Sequence, residues 1–219
     1  MRKSLLAVVF AAVAVLIMAP SQAMATTFDL NQIPGGCCVT IAHPSAGTIT
    51  LAQNGTSVNV TVALNSGFGF IDTGSHDSFT FNLSNSAWTP IITFTGATAT
   101  GWTSGQPGSN STFGSFGVFV DCNVPGTCGN GGSNPYYGTL TFTVTVSGHP
   151  LTPADFVGNS ETPAVYFAAD VYSQWGNNGA GATGPVGSLG PNTSTPEPAS
   201  LALLGTGLLG LGGLVRRRK

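Results

Sequence analysis

From residue 48 to residue 171 the chain is built of short apolar runs that alternate with polar positions and are separated by turn residues. Thr48-Ile49-Thr50-Leu51 leads to Asn54-Gly55, a dipeptide suited to the positive-φ positions of a two-residue hairpin turn. Val58, Val60, Val62 and Leu64 then alternate with Asn59, Thr61 and Ala63. Phe79, Phe81 and Leu83 alternate with Thr80 and Asn82, and Leu140, Phe142, Val144 and Val146 with Thr141, Thr143 and Thr145. Ile91–Phe94, Phe116–Val120 and Val165–Val171 are further strand-like runs. A period of two places one set of side chains on one face of a strand, and no sustained helical period occurs between residues 26 and 195. The pattern predicts an all-β fold over residues 26–175. It is an antiparallel β-sandwich of about seven to nine strands, with Thr and Asn turned to water. Repeat spacing is too irregular for a β-solenoid. Residues 176–195 are rich in Gly, Pro, Asn and Ser and read as a flexible linker.

Both ends depart from this pattern. Residues 1–25 have the three regions of a secretory signal peptide. Arg2 and Lys3 precede an unbroken apolar run, Leu5 to Ala19, and Ala23-Met24-Ala25 supplies the small residues of a cleavage site. An N-terminal signal helix and cleavage after Ala25 are expected. At the other end Pro196-Glu197-Pro198 breaks any preceding structure, because each Pro fixes φ and removes a donor. An apolar segment to Val215 follows, closed by Arg216, Arg217, Arg218 and Lys219. As a helix, residues 199–215 reach about 25 Å, a short transmembrane span, and the cationic block stays on the cytoplasmic side.

The tail, residues 196–219, resembles the PEP-CTERM sorting signal in the order of its triplet, hydrophobic segment and Arg run. The resemblance implies recognition by an exosortase, cleavage near Pro196-Glu197-Pro198, only transient membrane contact through 199–215, and delivery to the cell surface or to exopolysaccharide. Its alternative is a plain C-terminal anchor. Gly205, Gly207 and Gly210 spell a dinucleotide fingerprint. That motif needs a βαβ turn and an acidic residue about 20 positions on, and neither fits here.

All six Lys and Arg lie in these two end segments. Residues 26–195 hold no cation but seven acids (Asp29, Asp72, Asp77, Asp121, Asp155, Glu161 and Asp170), so their formal charge is −7 against −2 for the whole chain. Nucleic-acid binding, which neutralises phosphates with Lys or Arg, is excluded. So are phosphoryl-transfer clamps and a Lys Schiff base. The surface suits neutral or cationic partners and repels anionic polysaccharide unless cations bridge the two.

Cys122 and Cys128 flank Pro125-Gly126, a turn that brings the ends together, and a disulfide between them is expected in an oxidising compartment. Cys37 and Cys38 are adjacent, and their pairing stays open. His43, His76 and His149 stand apart, so no zinc site is expected. Phe70-Ile71-Asp72-Thr73-Gly74-Ser75 resembles the active-site stretch of aspartic proteases. That chemistry needs two carboxylates sharing a proton, and no second such motif exists in the chain. Asp72, Asp77 and Asp121 are oxygen ligands that would suit Ca²⁺, although their spacing fits no EF-hand loop. Exposed Trp88, Trp102 and Trp175 with Tyr136, Tyr137, Tyr166 and Tyr172 would suit sugar stacking, the competing reading being core packing. The sequence therefore predicts an exported, non-enzymatic envelope or extracellular-matrix protein with no catalytic, cofactor or metal site. Exosortase, the secretion machinery, the membrane and extracellular polysaccharide are its expected partners. A carbohydrate-binding module is the second reading and a secreted hydrolase the third.

Overall fold

A computed structural model of the chain describes residues 25–34, 45–74, 76–110, 112–122, 128, 131–175 and 181–192. The signal helix, Ala23, Cys37, Cys38, His43, the Pro196-Glu197-Pro198 triplet, the apolar tail and Arg216, Arg217, Arg218 and Lys219 lie outside the described residues. Among those described, no helix is long and apolar enough to cross a membrane.

The strands in chain order are β1 (Ala25–Asp29), β2 (Gly47–Asn54), β3 (Ser57–Leu64), β4 (Phe68–Phe70), β5 (Phe79–Leu83), β6 (Pro90–Phe94), β7 (Thr103–Gly105), β8 (Gly108–Asn110), β9 (Gly114–Phe116), β10 (Val118–Asp121), β11 (Leu140–Val146), β12 (Phe156–Val157), β13 (Phe167–Ser173) and β14 (Ala182–Ser188). One sheet has the order β1-β2-β3-β11-β6, the other β14-β13-β5-β10-β7, with β4 on β13 and β12 on β5. Every pairing is antiparallel. Asn54 pairs with Ser57 around Gly55, whose φ of 60° a residue with a Cβ tolerates poorly. The hairpin written in the sequence is therefore present.

The sheets meet through aromatic side chains. Phe142 of β11 contacts Phe79 and Phe81 of β5, each at 6.1 Å between ring centroids, and Phe28 of β1 meets Phe167 of β13 edge-on at 4.8 Å. These rings are fully buried, and their loss of contact with water is the main drive for the two layers to close. In β3 and the first half of β11 the burial alternates as the period of two requires.

Two expectations are corrected. Residues 176–195 are not simply a linker, because Ala182–Ser188 pairs with β13 along all seven residues. Its Gly and Pro residues disguise it. Pro185 is tolerated at a strand position that needs no N–H, and Gly187 lies so close to Phe113 that a Cβ would sit 2.9 Å from the ring. Nor do Thr80 and its neighbours face water. Beyond the expected sandwich strands, β8 and β9 form a hairpin whose Phe113 and Phe116 bury against Val165 and Ala168, and Thr80 is fully buried. The outer face of the second sheet is thus covered.

Candidate functional site

The seven residues of β13 pair with β14 on one edge, while the other edge is shared end to end. β5 takes Phe167–Ala169 and β4 takes Val171–Ser173. Asp170 falls at the break between them, where the chain leaves the sheet as the loop 71–78. Its backbone holds both ends of that loop. Ile71 N–H donates to the Asp170 carbonyl at 3.1 Å, and Asp170 N–H donates to the Ser78 carbonyl at 3.1 Å. The side chain holds the middle, since Oδ2 accepts the Thr73 N–H at 2.9 Å and the Thr73 hydroxyl.

The other acids arrive from two directions. Asp121, at the end of β10, accepts the Ser78 N–H through Oδ1 at 2.7 Å. Its neighbour Cys122 is bonded to Cys128, as expected from the intervening turn, and lies 3.1 Å from the Ser78 hydroxyl. Asp77 joins the loop to the β8–β9 hairpin. Its N–H donates to the Ser109 carbonyl at 3.0 Å, and its carboxylate accepts the Ser109 N–H. His76 forms a bridge to Asn110 of the hairpin, and its Nδ1 lies 4.0 Å from Asp170 Oδ1.

No Lys or Arg exists between residues 4 and 215 to neutralise these groups. Burial therefore dominates their titration. It pushes the carboxyls of Asp121 and Asp170 up to about 7, with the charges of Asp77 and Asp72 adding to Asp121 and those of Asp72 and Asp121 to Asp170. Burial also raises Asp72 and Asp77, and it lowers His76 against the pull of Asp77. Asp170 Oδ1 and Asn110 Nδ2 are among the buried side-chain polar atoms that lack hydrogen-bond partners within the described residues.

Asp72, Asp77 and Asp121, the candidate Ca²⁺ ligands, do come to one place. Among the described residues, however, no group of three or more His, Cys, Asp or Glu is arranged to hold a metal ion. The Asp72-Thr73-Gly74 stretch uses its threonine to bind Asp170, and no second copy of the motif faces it. Asp170 was not singled out by sequence. The signal was an acid inside the apolar run Val165–Val171 of a domain without cations.

Of the three tryptophans, Trp102 is buried and Trp88 and Trp175 are half-buried. Trp102 is buried against Phe70 and Tyr136, at 5.7 and 5.4 Å between ring centroids. Trp175 packs on Phe68, and Trp88 lies against His149 with ring centroids 4.1 Å apart and the planes tilted by 34°. Ala25, the expected cleavage residue, is the exposed first position of β1.

Residues 194–219 match the PEP-CTERM protein-sorting motif. A tail of this kind marks an exported protein that is processed by an exosortase at the membrane and sorted to the cell surface. No curated protein and no solved structure matches the chain.

Proposed function

We propose that the protein is a non-enzymatic component of the cell surface or extracellular matrix that associates with neutral exopolysaccharide after its tail is removed. The observation that carries this reading is the matched sorting motif at residues 194–219, joined to a β-sandwich with no Lys or Arg in residues 26–195. Such a surface is hydrated by Thr, Ser, Asn and backbone groups. It offers many neutral hydrogen-bond donors and acceptors to hydroxyl-rich chains, and its net negative charge keeps it away from anionic ones.

The test is co-sedimentation of the secreted protein with neutral and with acidic exopolysaccharide at low and high salt. Retention by the neutral polymer at both salt concentrations is expected. A protein that stays in the supernatant with every polymer refutes the association, and hydrolysis of peptide or glycan substrates by the pure protein refutes the non-enzymatic reading. Specific carbohydrate recognition is the second reading, favoured by Tyr137, an aromatic side chain 59 % exposed. Saturable binding lost in Tyr137→Ala would select it.

A further inference from the structure

The strands that end the two sheets are not alike. β1 and β14 are tied together, because Asn192 N–H donates to the Thr27 carbonyl and Gln32 and Gly187 exchange backbone hydrogen bonds. β7, which ends the second sheet, is three residues of Thr, Ser and Gly. β6 ends the first sheet and pairs with β11 alone. It runs Pro90-Ile91-Ile92-Thr93-Phe94. Thr95 N–H donates to the Thr141 carbonyl at 3.0 Å, and Phe94 stands opposite Phe142. Hydrogen-bonded residues alternate along an antiparallel pair, so Ile91, Thr93 and Thr95 bond toward β11. The N–H and C=O groups of Ile92 and Phe94 point away from it. Among the described residues no hydrogen bond reaches those outward groups.

An uncovered strand edge is a template for another strand, and proteins blunt it with Lys, Pro, a bulge or brevity. β6 carries only Pro90, at its first position. Its side chains are apolar on both faces of the sheet. Ile91 is 57 % exposed on the outer face, while Ile92 and Phe94 pack on the core and stay half-buried. The charge of the domain lies elsewhere. Strands β2, β3, β11 and β6 hold no ionisable side chain. Asp29 is on β1, at the far edge of that sheet, and the acidic cluster belongs to the second sheet. A strand that pairs with β6 without stranding a charge is itself neutral and apolar on its rim, and a second β6 meets both conditions.

We propose that β6 is a self-association edge, through which two copies of this chain pair antiparallel about a two-fold axis at Thr93 and join their five-stranded sheets into one. In that register Ile92 of each copy lies opposite Phe94 of the other. Each N–H donates to the facing carbonyl, so every outward group of both residues is used. An axis at Ile92 instead sets Phe94 against Pro90, which has no N–H, and leaves the Phe94 carbonyl unused. The two Thr93 side chains face each other, and Ile91 packs against Thr95 of the other copy, whose backbone is extended. The contact is short, about 17 Å for five residues. The dimer is therefore weak and forms by mass action where the protein is concentrated. This goes beyond the matrix reading and is independent of it.

Sedimentation velocity of the secreted protein over about a 100-fold range of concentration tests the pairing. The mean mass is expected to rise from one copy toward two. The amides of Ile92 and Phe94 are expected to gain hydrogen-exchange protection with it, while those of β2 stay constant. Thr93→Lys sets two like charges at the axis and is expected to keep the protein monomeric. Thr61→Lys, on the same sheet but between β2 and β11, is expected to associate like the original. Thr93→Cys reads the register. Directly opposed residues of a non-hydrogen-bonded pair have Cα atoms about 4.5 Å apart, within disulfide range. In air, disulfide-linked dimers beyond those of the unmodified protein are expected from Thr93→Cys and not from Thr61→Cys. A single-copy mass at every concentration overturns the proposal. So does a dimer that survives Thr93→Lys, or one that fails to cross-link through Thr93→Cys. Protection of Ile92 and Phe94 that is the same at every concentration means that a segment of the same chain covers the edge, and overturns it as well.

Discussion

Asn192 donates its backbone N–H to the carbonyl of Thr27 at 2.7 Å, tying the last described residue of the domain to its first strand. Around this contact Phe28 bridges Pro191, and Gln32 and Gly187 exchange backbone hydrogen bonds of 3.0 and 2.9 Å. One side of the sandwich is closed by this ladder between the two sheets. The start of β1 and the approach to the sorting motif at residue 194 therefore share a corner, and only Thr193, Ser194 and Thr195 separate Asn192 from Pro196.

Processing at both ends should spare this ladder. The intact mass of the secreted protein is expected to lack residues 1–25 and everything past roughly Pro196–Ala199, with Thr26 as the new first residue. A secreted form that retains Arg216 to Lys219 would contradict cleavage of the tail.

The strand assignment of Ala182–Ser188 makes Gly187 sensitive. Gly187→Ala puts a Cβ about 2.9 Å from the Phe113 ring, inside a small buried cluster that has little room to yield. A loss of about 1–2 kcal/mol in chemical denaturation is expected. A linker at this position would tolerate the change without measurable effect.

Phe142 is the ring through which the first sheet meets β5. Its truncation to Ala leaves a cavity between Phe79, Phe81 and Phe94, and a cost of about 3–5 kcal/mol is expected. Unfolding by urea, compared at constant m-value, measures it.

Reduction of Cys122–Cys128, or its replacement by two serines, frees a short loop next to Ser78. The expected loss is about 2 kcal/mol, read as a fall of about 4–8 °C in Tm for a domain of this size. An unchanged Tm would mean that the loop is held equally well without the bond.

Global stability should depend on the two buried carboxyls. Asp121 and Asp170 have raised values in the folded state, so their contribution is fully present below about 3.8 and is lost as pH rises through about 7. Thermal unfolding is expected at a higher temperature at pH 5 than at pH 8, and the Asp170→Asn variant should narrow that difference. A Tm that rises from pH 5 to pH 8 would show that other groups govern the balance.

Sequence by itself determined the local pieces. A period of two places Val58, Val60 and Val62 on one side of an extended chain whatever lies opposite, Asn54-Gly55 turns the chain, and Cys122 and Cys128 are near enough along the backbone to meet. It also determined where the protein is sent, because apolar runs and charge blocks act on membranes through composition and order. The confinement of every Lys and Arg to the two ends already implied that a buried acid in the domain would have no Lys or Arg partner.

Only the tertiary structure decided which pieces meet. Thr73 and Asp170 are 97 residues apart, and no local pattern says that a strand edge will be split between β4 and β5 so that Asp170 sits in the gap. The strand at Ala182–Ser188 was hidden for the same reason. Its Gly and Pro residues are poor strand formers alone, and it forms because β13 offers a full edge of hydrogen-bonding groups and Phe113 leaves space only for glycine. Trp102 turned inward because Phe70 and Tyr136 bury it. Periodicity is a property of neighbours along the chain, whereas pairing and burial are properties of neighbours in space.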